Sequence, residues 1–206
     1  ATVRRLARLY RSVYPGWSED YFARMEKLFP ISFDARLGKM SKGMQRQAAI
    51  LLGLSTQPRC ILFDEIFDGL DPVVRELVKK LLVDFVAENG ASVMIASHNL
   101  RELEDVCDHV GLLHRGGALC EDDLDRLKLG ITRVQFALAD PADFETVRAR
   151  LNLLKCSQQG KLFEMTVRGT ETETLALVQR LHPLFCETLP ITLEELFISE
   201  MEVAGR

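Results

Sequence analysis

The sequence predicts an α/β protein, a parallel sheet with a helical layer, followed by a small α+β unit. Three observations lead there. Between Cys60 and His114, apolar strand-like runs alternate with helical segments, the pattern of a parallel sheet. The first run, Cys60-Ile61-Leu62-Phe63, ends in the adjacent carboxylates Asp64 and Glu65. From Ile131 onward the segments read β-α-β-β-α-β, the ferredoxin-like order.

The bulk properties exclude several classes. With 206 residues, 47% hydrophobic and 27% charged, the chain has the composition of a globular protein with a sizeable core. A net charge of −4 leaves no basic footprint for nucleic acid. Five cysteines, scattered and without C-x-x-C spacing, argue against a disulfide framework or a zinc site and for a reducing compartment. No apolar run approaches the roughly 20 residues that span a bilayer. The expectation is a soluble chain whose membrane role, if any, comes through a partner.

Taken in order, Val3, Leu6, Leu9, Tyr10 and Val13 recur at helical spacing between four arginines, whose face reads as solvated. Pro15-Gly16 turns the chain, and Ser18 caps a second amphipathic helix that runs to about Phe29. Both precede any strand, which predicts the helical layer. The polar loop Gly38 to Gln45 leads into a helix over Gln45 to Leu54, with Ser41 as N-cap and Gly43 permitting close backbone approach. The free N–H groups and positive dipole end of such a helix suit an anion.

Cys60 to Phe63 reads as a strand buried on both faces, as parallel strands usually are. Pro72 opens a helix over Val73 to Glu88, which Asn89-Gly90 closes. Ser92 to Ser97 is a second parallel strand with His98 at its end. His109 to His114 reads as a third, before the turn Arg115-Gly116-Gly117. The character changes near 128, so the expected domains are 1–128 and 129–206. In the second, strands are expected over Ile131–Leu138, Leu153–Gln158, Lys161–Val167 and Phe185–Leu189. Helices fill Ala142–Leu151 and Glu171–Leu181, with a closing helix over Leu193–Val203.

Open α/β sheets bind ligands beyond the C-terminal ends of their strands, so right-handed crossovers give Glu65 and His98 a common ligand to face. An acidic pair, a histidine and an anion-binding helix end together suit nucleotide hydrolysis. An aspartate holds Mg²⁺, a glutamate orients or deprotonates water, and a histidine contacts the γ-phosphate.

These motifs, in this order, resemble the nucleotide-binding domain of ATP-binding cassette (ABC) transporters. Met40-Ser41-Lys42-Gly43-Met44-Gln45 resembles the signature motif and Cys60 to Glu65 the Walker B strand. Asp68-Gly69-Leu70-Asp71 is similar to the D-loop, Ser97-His98 to the H-loop, and Asp108 to Gly116 to the segment that follows. The resemblance covers about Ala1 to Gly130. Tyr14-Pro15-Gly16-Trp17 and the Ser-Lys-Gly-Met signature look like bacterial exporters that act with a separate permease, and the last domain like the accessory domain of that subgroup.

The resemblance implies a partial P-loop-NTPase-type sheet, ATP and Mg²⁺ as cofactors, and a peripheral place on the cytoplasmic face of the membrane. The implied partners are a transmembrane permease and a second ATPase subunit, with no nucleic acid. It makes Asp64 the Mg²⁺ holder, Glu65 the general base or water-orienting residue, and His98 the γ-phosphate sensor. Ser41, Gly43 and Gln45 would meet the γ-phosphate of ATP bound to a second subunit, and Asp71 would lie at the dimer interface.

The sequence departs from the family pattern in three places. Ile66 stands where proline usually follows the Walker B glutamate, and Lys42 and Met44 replace signature residues. The P-loop pattern G-x-x-x-x-G-K-[ST] is absent from these 206 residues, and so is the Q-loop. Gly38 to Gly43 has the glycine spacing, but Met44-Gln45 follow it. The expectation is the back portion of a longer protein, inactive by itself. Two other readings stay open: a soluble ABC-type ATPase of DNA repair or translation, and a non-catalytic regulatory module.

Overall fold

The computed structural model describes residues 1–114 and 116–203. It divides into two compact units, Ala1–Val106 and Cys107–Arg206. The division falls earlier than the change of character near 128, for a reason that the strand pairing supplies.

In the first unit, α1 (Val3–Val13) and α2 (Glu19–Leu28) are capped by the hydroxyls of Thr2 and Ser18, which accept from Arg5 N and Tyr21 N. Both pack beside α3 (Lys42–Ser55), the longer helix that the polar loop leads into. β1 (Cys60–Asp64) and β2 (Ser92–Ala96) pair in parallel, joined by α4 (Pro72–Asn89), and α5 (Leu100–Glu104) follows. Asp71 caps α4, with Pro72 at its first position where a missing N–H costs nothing. Gly90, at φ 58°, ends it in the left-handed conformation. One hydrophobic cluster runs from Val3 to Ala91 through Met25, Leu51, Leu54, Phe67, Val78 and Phe85. Tyr21 meets Phe85 edge-on at 5.8 Å between ring centroids.

Two expectations are corrected here. β1 and β2 are not covered on both faces: Ile61, Phe63 and Ile95 pack on the cluster, while Leu62 is 73% and Met94 66% exposed. Alternation of side chains puts these two sets on opposite faces, and the cluster lies on one of them. The predicted third parallel strand, β3 (His109–His114), instead pairs antiparallel with β4 (Gly117–Asp123). An apolar run shows that a strand exists but not which partner it takes. Because β3 leaves the parallel pair, the compact division falls after Val106. Gly116, at φ 81°, lies in the connection, and Arg115 of the expected turn lies outside the described residues.

The second unit continues with α6 (Leu124–Leu129), capped by Asp123. Next come β5 (Ile131–Ala137), a short 3₁₀ turn over Pro141–Phe144 and α7 (Glu145–Arg148), so the expected helix is a broken one. β6 (Leu153–Gln159), β7 (Leu162–Arg168), α8 (Glu171–Gln179), β8 (Phe185–Leu189) and α9 (Leu193–Val203) complete it. The sheet order is β6-β7-β5-β8, antiparallel throughout. That is the arrangement expected of the β-α-β-β-α-β plan. Its core holds Val134, Phe136, Phe163, Met165 and Val178, with Phe136 stacked on Phe163 at 5.3 Å.

Candidate active site

β1 and β2 end level, Asp64 opposite Ala96, so Glu65 and the Ser97-His98 pair leave the sheet at the same edge. Glu65 adopts φ 49°, the left-handed region, and its amide donates to Ala96 O at 2.9 Å. That turn aims its carboxylate across the edge. One oxygen accepts from Ser97 Oγ at 3.1 Å; the other accepts from the His98 amide at 3.2 Å and lies 2.7 Å from His98 Nδ1.

A carboxylate can only accept, so Nδ1 carries the proton and Nε2 is left outside the pair. The ring is 77% exposed. The His98 side chain, followed by Ser97 Oγ, holds the Glu65 carboxyl below its usual range, and Glu65 in turn raises the His98 imidazole. A carboxylate engaged by three donors and shifted downward is a weak base. In this arrangement Glu65 orients His98.

Asp64 is exposed at the end of β1. Among the described residues no group of three or more His, Cys, Asp or Glu could hold a metal ion.

At the start of α3, Ser41 Oγ accepts from Met44 N at 3.2 Å and Gln45 N donates to Ser41 O at 2.9 Å. The amides of Lys42 and Gly43 precede the first intrahelical donor. Gln45 turns back, its Nε2 donating to Met40 O at 3.0 Å. Gly43 has no room for a side chain, since an added Cβ would sit 2.4 Å from Gly69 O. Asp71 Oδ1 accepts from the amides of Val73 and Val74, both at 3.1 Å.

The departures from the family pattern find local places. Ile66 is 2% exposed within the main cluster, Met44 packs against that cluster, and Lys42 is exposed. Arg46, which the sequence suggests only as a helix former, reaches the same sheet edge. Its Nη1 donates to Glu65 O at 2.6 Å and also to Asp68 O. No local signal marks it, because the carbonyls it reaches lie 19 and 22 residues further along the chain.

No family model matches the sequence. Among curated proteins, the ABC transporter ATP-binding protein YtrB of Bacillus subtilis (strain 168) is 29% identical over 199 residues, 97% of this chain and 68% of that protein. The bacitracin transport ATP-binding protein BcrA of Bacillus licheniformis is 34% identical over 105 residues, 50% of this chain and 34% of its own length. The solved ATP-binding subunit of an ABC transporter superposes with a TM-score of 0.56 at 25% identity, covering 62% of this chain and 55% of that one. These relatives and this neighbour are all ATP-binding proteins of ABC transporters. The match to YtrB takes in both units of this chain, whereas BcrA matches half of it. The chain thus spans about two thirds of the first relative and about a third of the second.

Proposed function

We propose that this chain forms part of an ATP-hydrolysing subunit that powers a membrane permease. The observation that carries the reading is the Glu65 carboxylate held on His98 at the level ends of β1 and β2, the edge where open α/β sheets take ligands.

With Nδ1–H committed to Glu65, His98 offers Nε2 to a γ-phosphate, and its raised pKa favours the imidazolium that donates there. Glu65 fixes the ring and, by releasing one oxygen, orients the attacking water; its lowered pKa favours orientation over proton abstraction. Mg²⁺, when bound, neutralises charge on the phosphate oxygens, and Asp64 is the side chain that would hold it through water.

The Ser41 hydroxyl and the Lys42 and Gly43 amides, at the positive end of a 14-residue helix, face the γ-phosphate of ATP on a second ATPase subunit. Gln45 serves that loop through Met40 O, and Asp71 serves the dimer interface through the start of α4. No helix among the described residues is long and apolar enough to cross a membrane, which suits peripheral attachment through a permease at the cytoplasmic face.

The phosphate cradle is missing from these 206 residues, so the reading requires a Walker A segment from outside them. Steady-state ATP hydrolysis by the protein carrying this chain with a Walker A segment tests the proposal. Glu65→Gln and His98→Ala should each lower turnover by about 100-fold or more. Unchanged turnover in both would overturn it.

A further inference from the structure

Glu65 has a side chain yet sits at φ 49°, a conformation that only glycine adopts freely. Something must hold it there. Its own turn contributes, with Asp68 N donating to Glu65 O at 3.2 Å. Ile66, Phe67 and Leu70, all buried, anchor the turn from below. The remaining restraint comes from α3. Arg46 Nη1 bridges the carbonyls of Glu65 and Asp68, two acceptors at the two ends of one turn. A second contact lies beside it, where Gly43 admits the Gly69 carbonyl against the α3 backbone.

We infer that Arg46 is a positioning residue for Glu65, clamping the Glu65–Asp68 turn to α3 so that the helix start and the Glu65 carboxylate move as one piece. For what Glu65 does, this rests on the ATPase reading; the clamp itself does not. A guanidinium always carries its charge and donates to carbonyl groups in a fixed geometry. Without it, Glu65 is free to relax toward negative φ, and its carboxylate leaves Ser97 and His98. A phosphate that settles against Ser41 and the first amides of α3 therefore registers at Glu65 of the same chain. In a pair of such subunits that couples one ATP site to the other.

The ¹⁵N-labelled 206-residue chain provides the test, without nucleotide. In the unsubstituted protein the Arg46 Nη–H protons should be resolved and slow to exchange. A single averaged, fast-exchanging guanidinium signal overturns the inference whether or not any variant folds. Arg46→Met should speed exchange of the Glu65 amide by about tenfold and abolish the hydrogen-bonded ¹⁵N shift of His98 Nδ1. Arg46→Lys, whose ammonium also donates, should restore most of both. Unaltered Glu65 exchange and His98 shift in a folded Arg46→Met chain equally overturn it. Failure of hydrolysis in the Walker A protein sinks the ATPase reading and leaves the clamp standing.

Discussion

At the residue scale, the Glu65–His98 contact makes the stability of the site depend on pH from both sides. The His98 pKa is raised by its partner, so its contribution is full below the ordinary imidazole value of about 6.5 and fades as pH rises through the folded value. The Glu65 pKa is lowered, first by the His98 side chain, so its contribution is full above the ordinary glutamate value of about 4.3 and is lost as pH falls through the folded value. Both hold between those two ordinary values. NMR titration of His98 should therefore show an inflection above about 6.5, which falls back toward that value in Glu65→Gln. An inflection indifferent to Glu65→Gln would contradict the pairing. Gly43 supports a second expectation. Its alanine variant drives a methyl to 2.4 Å from the Gly69 carbonyl, so the two backbones must separate. Urea unfolding should show a loss of about 1–3 kcal/mol, the usual cost of overpacking. That Glu65 and His98 meet at one sheet edge was legible in the sequence, because polar residues at the ends of apolar runs stand out. The need for glycine at 43 was legible only in part. The loop spacing suggests close backbone approach, but nothing local reveals that the Gly69 carbonyl, 26 positions on, is what approaches.

At the scale of elements, helix ends were the most readable features, since capping chemistry is local. Ser18 and Ser41, expected as caps, each accept from an amide three residues on at the start of a helix, and Asp123 and Thr170, which no expectation covered, do the same. Asp71 goes further and takes two amides of α4. Asp71→Ala should thus cost about 1 kcal/mol in urea unfolding, whereas Asp71→Asn, which keeps an acceptor oxygen, should cost less. Equal losses would mean that charge at the helix start, and not the hydrogen bonds, carries the effect. Strand pairing was harder to read. The ferredoxin-like unit emerged correctly because its six segments form one recognised order. β3 differs from its expected parallel pairing because alternation with helices suggests parallel neighbours, whereas it pairs antiparallel with β4, with a register shift between Leu112 and Leu113 inside the strand. The exposure of Leu62 and Met94 was equally hidden, since a run of apolar residues looks the same with one face covered or two.

For the whole molecule, the proposed phosphate site turns on which half of it these residues would supply. They bring an exposed carboxylate at Asp64, a carboxylate–imidazole pair at Glu65 and His98, and a helix start at Ser41. They lack the run of backbone N–H groups, the lysine and the hydroxyl that cradle the β- and γ-phosphates in P-loop enzymes. Catalysis of phosphoryl transfer is mostly positioning and charge stabilisation, so a site without the cradle loses the larger part of both. The 206-residue protein given ATP and Mg²⁺ should release phosphate no faster than a buffer blank, in an assay sensitive to well below the roughly 1 s⁻¹ at the slow end of typical enzymes. Joining a Walker A segment should restore release, and Glu65→Gln in the joined protein should abolish it again. Turnover at a normal enzymatic rate by the 206 residues alone would show that another phosphate cradle exists within them. The α3 start, with Lys42 exposed beside the Ser41 cap, would then be the place to look.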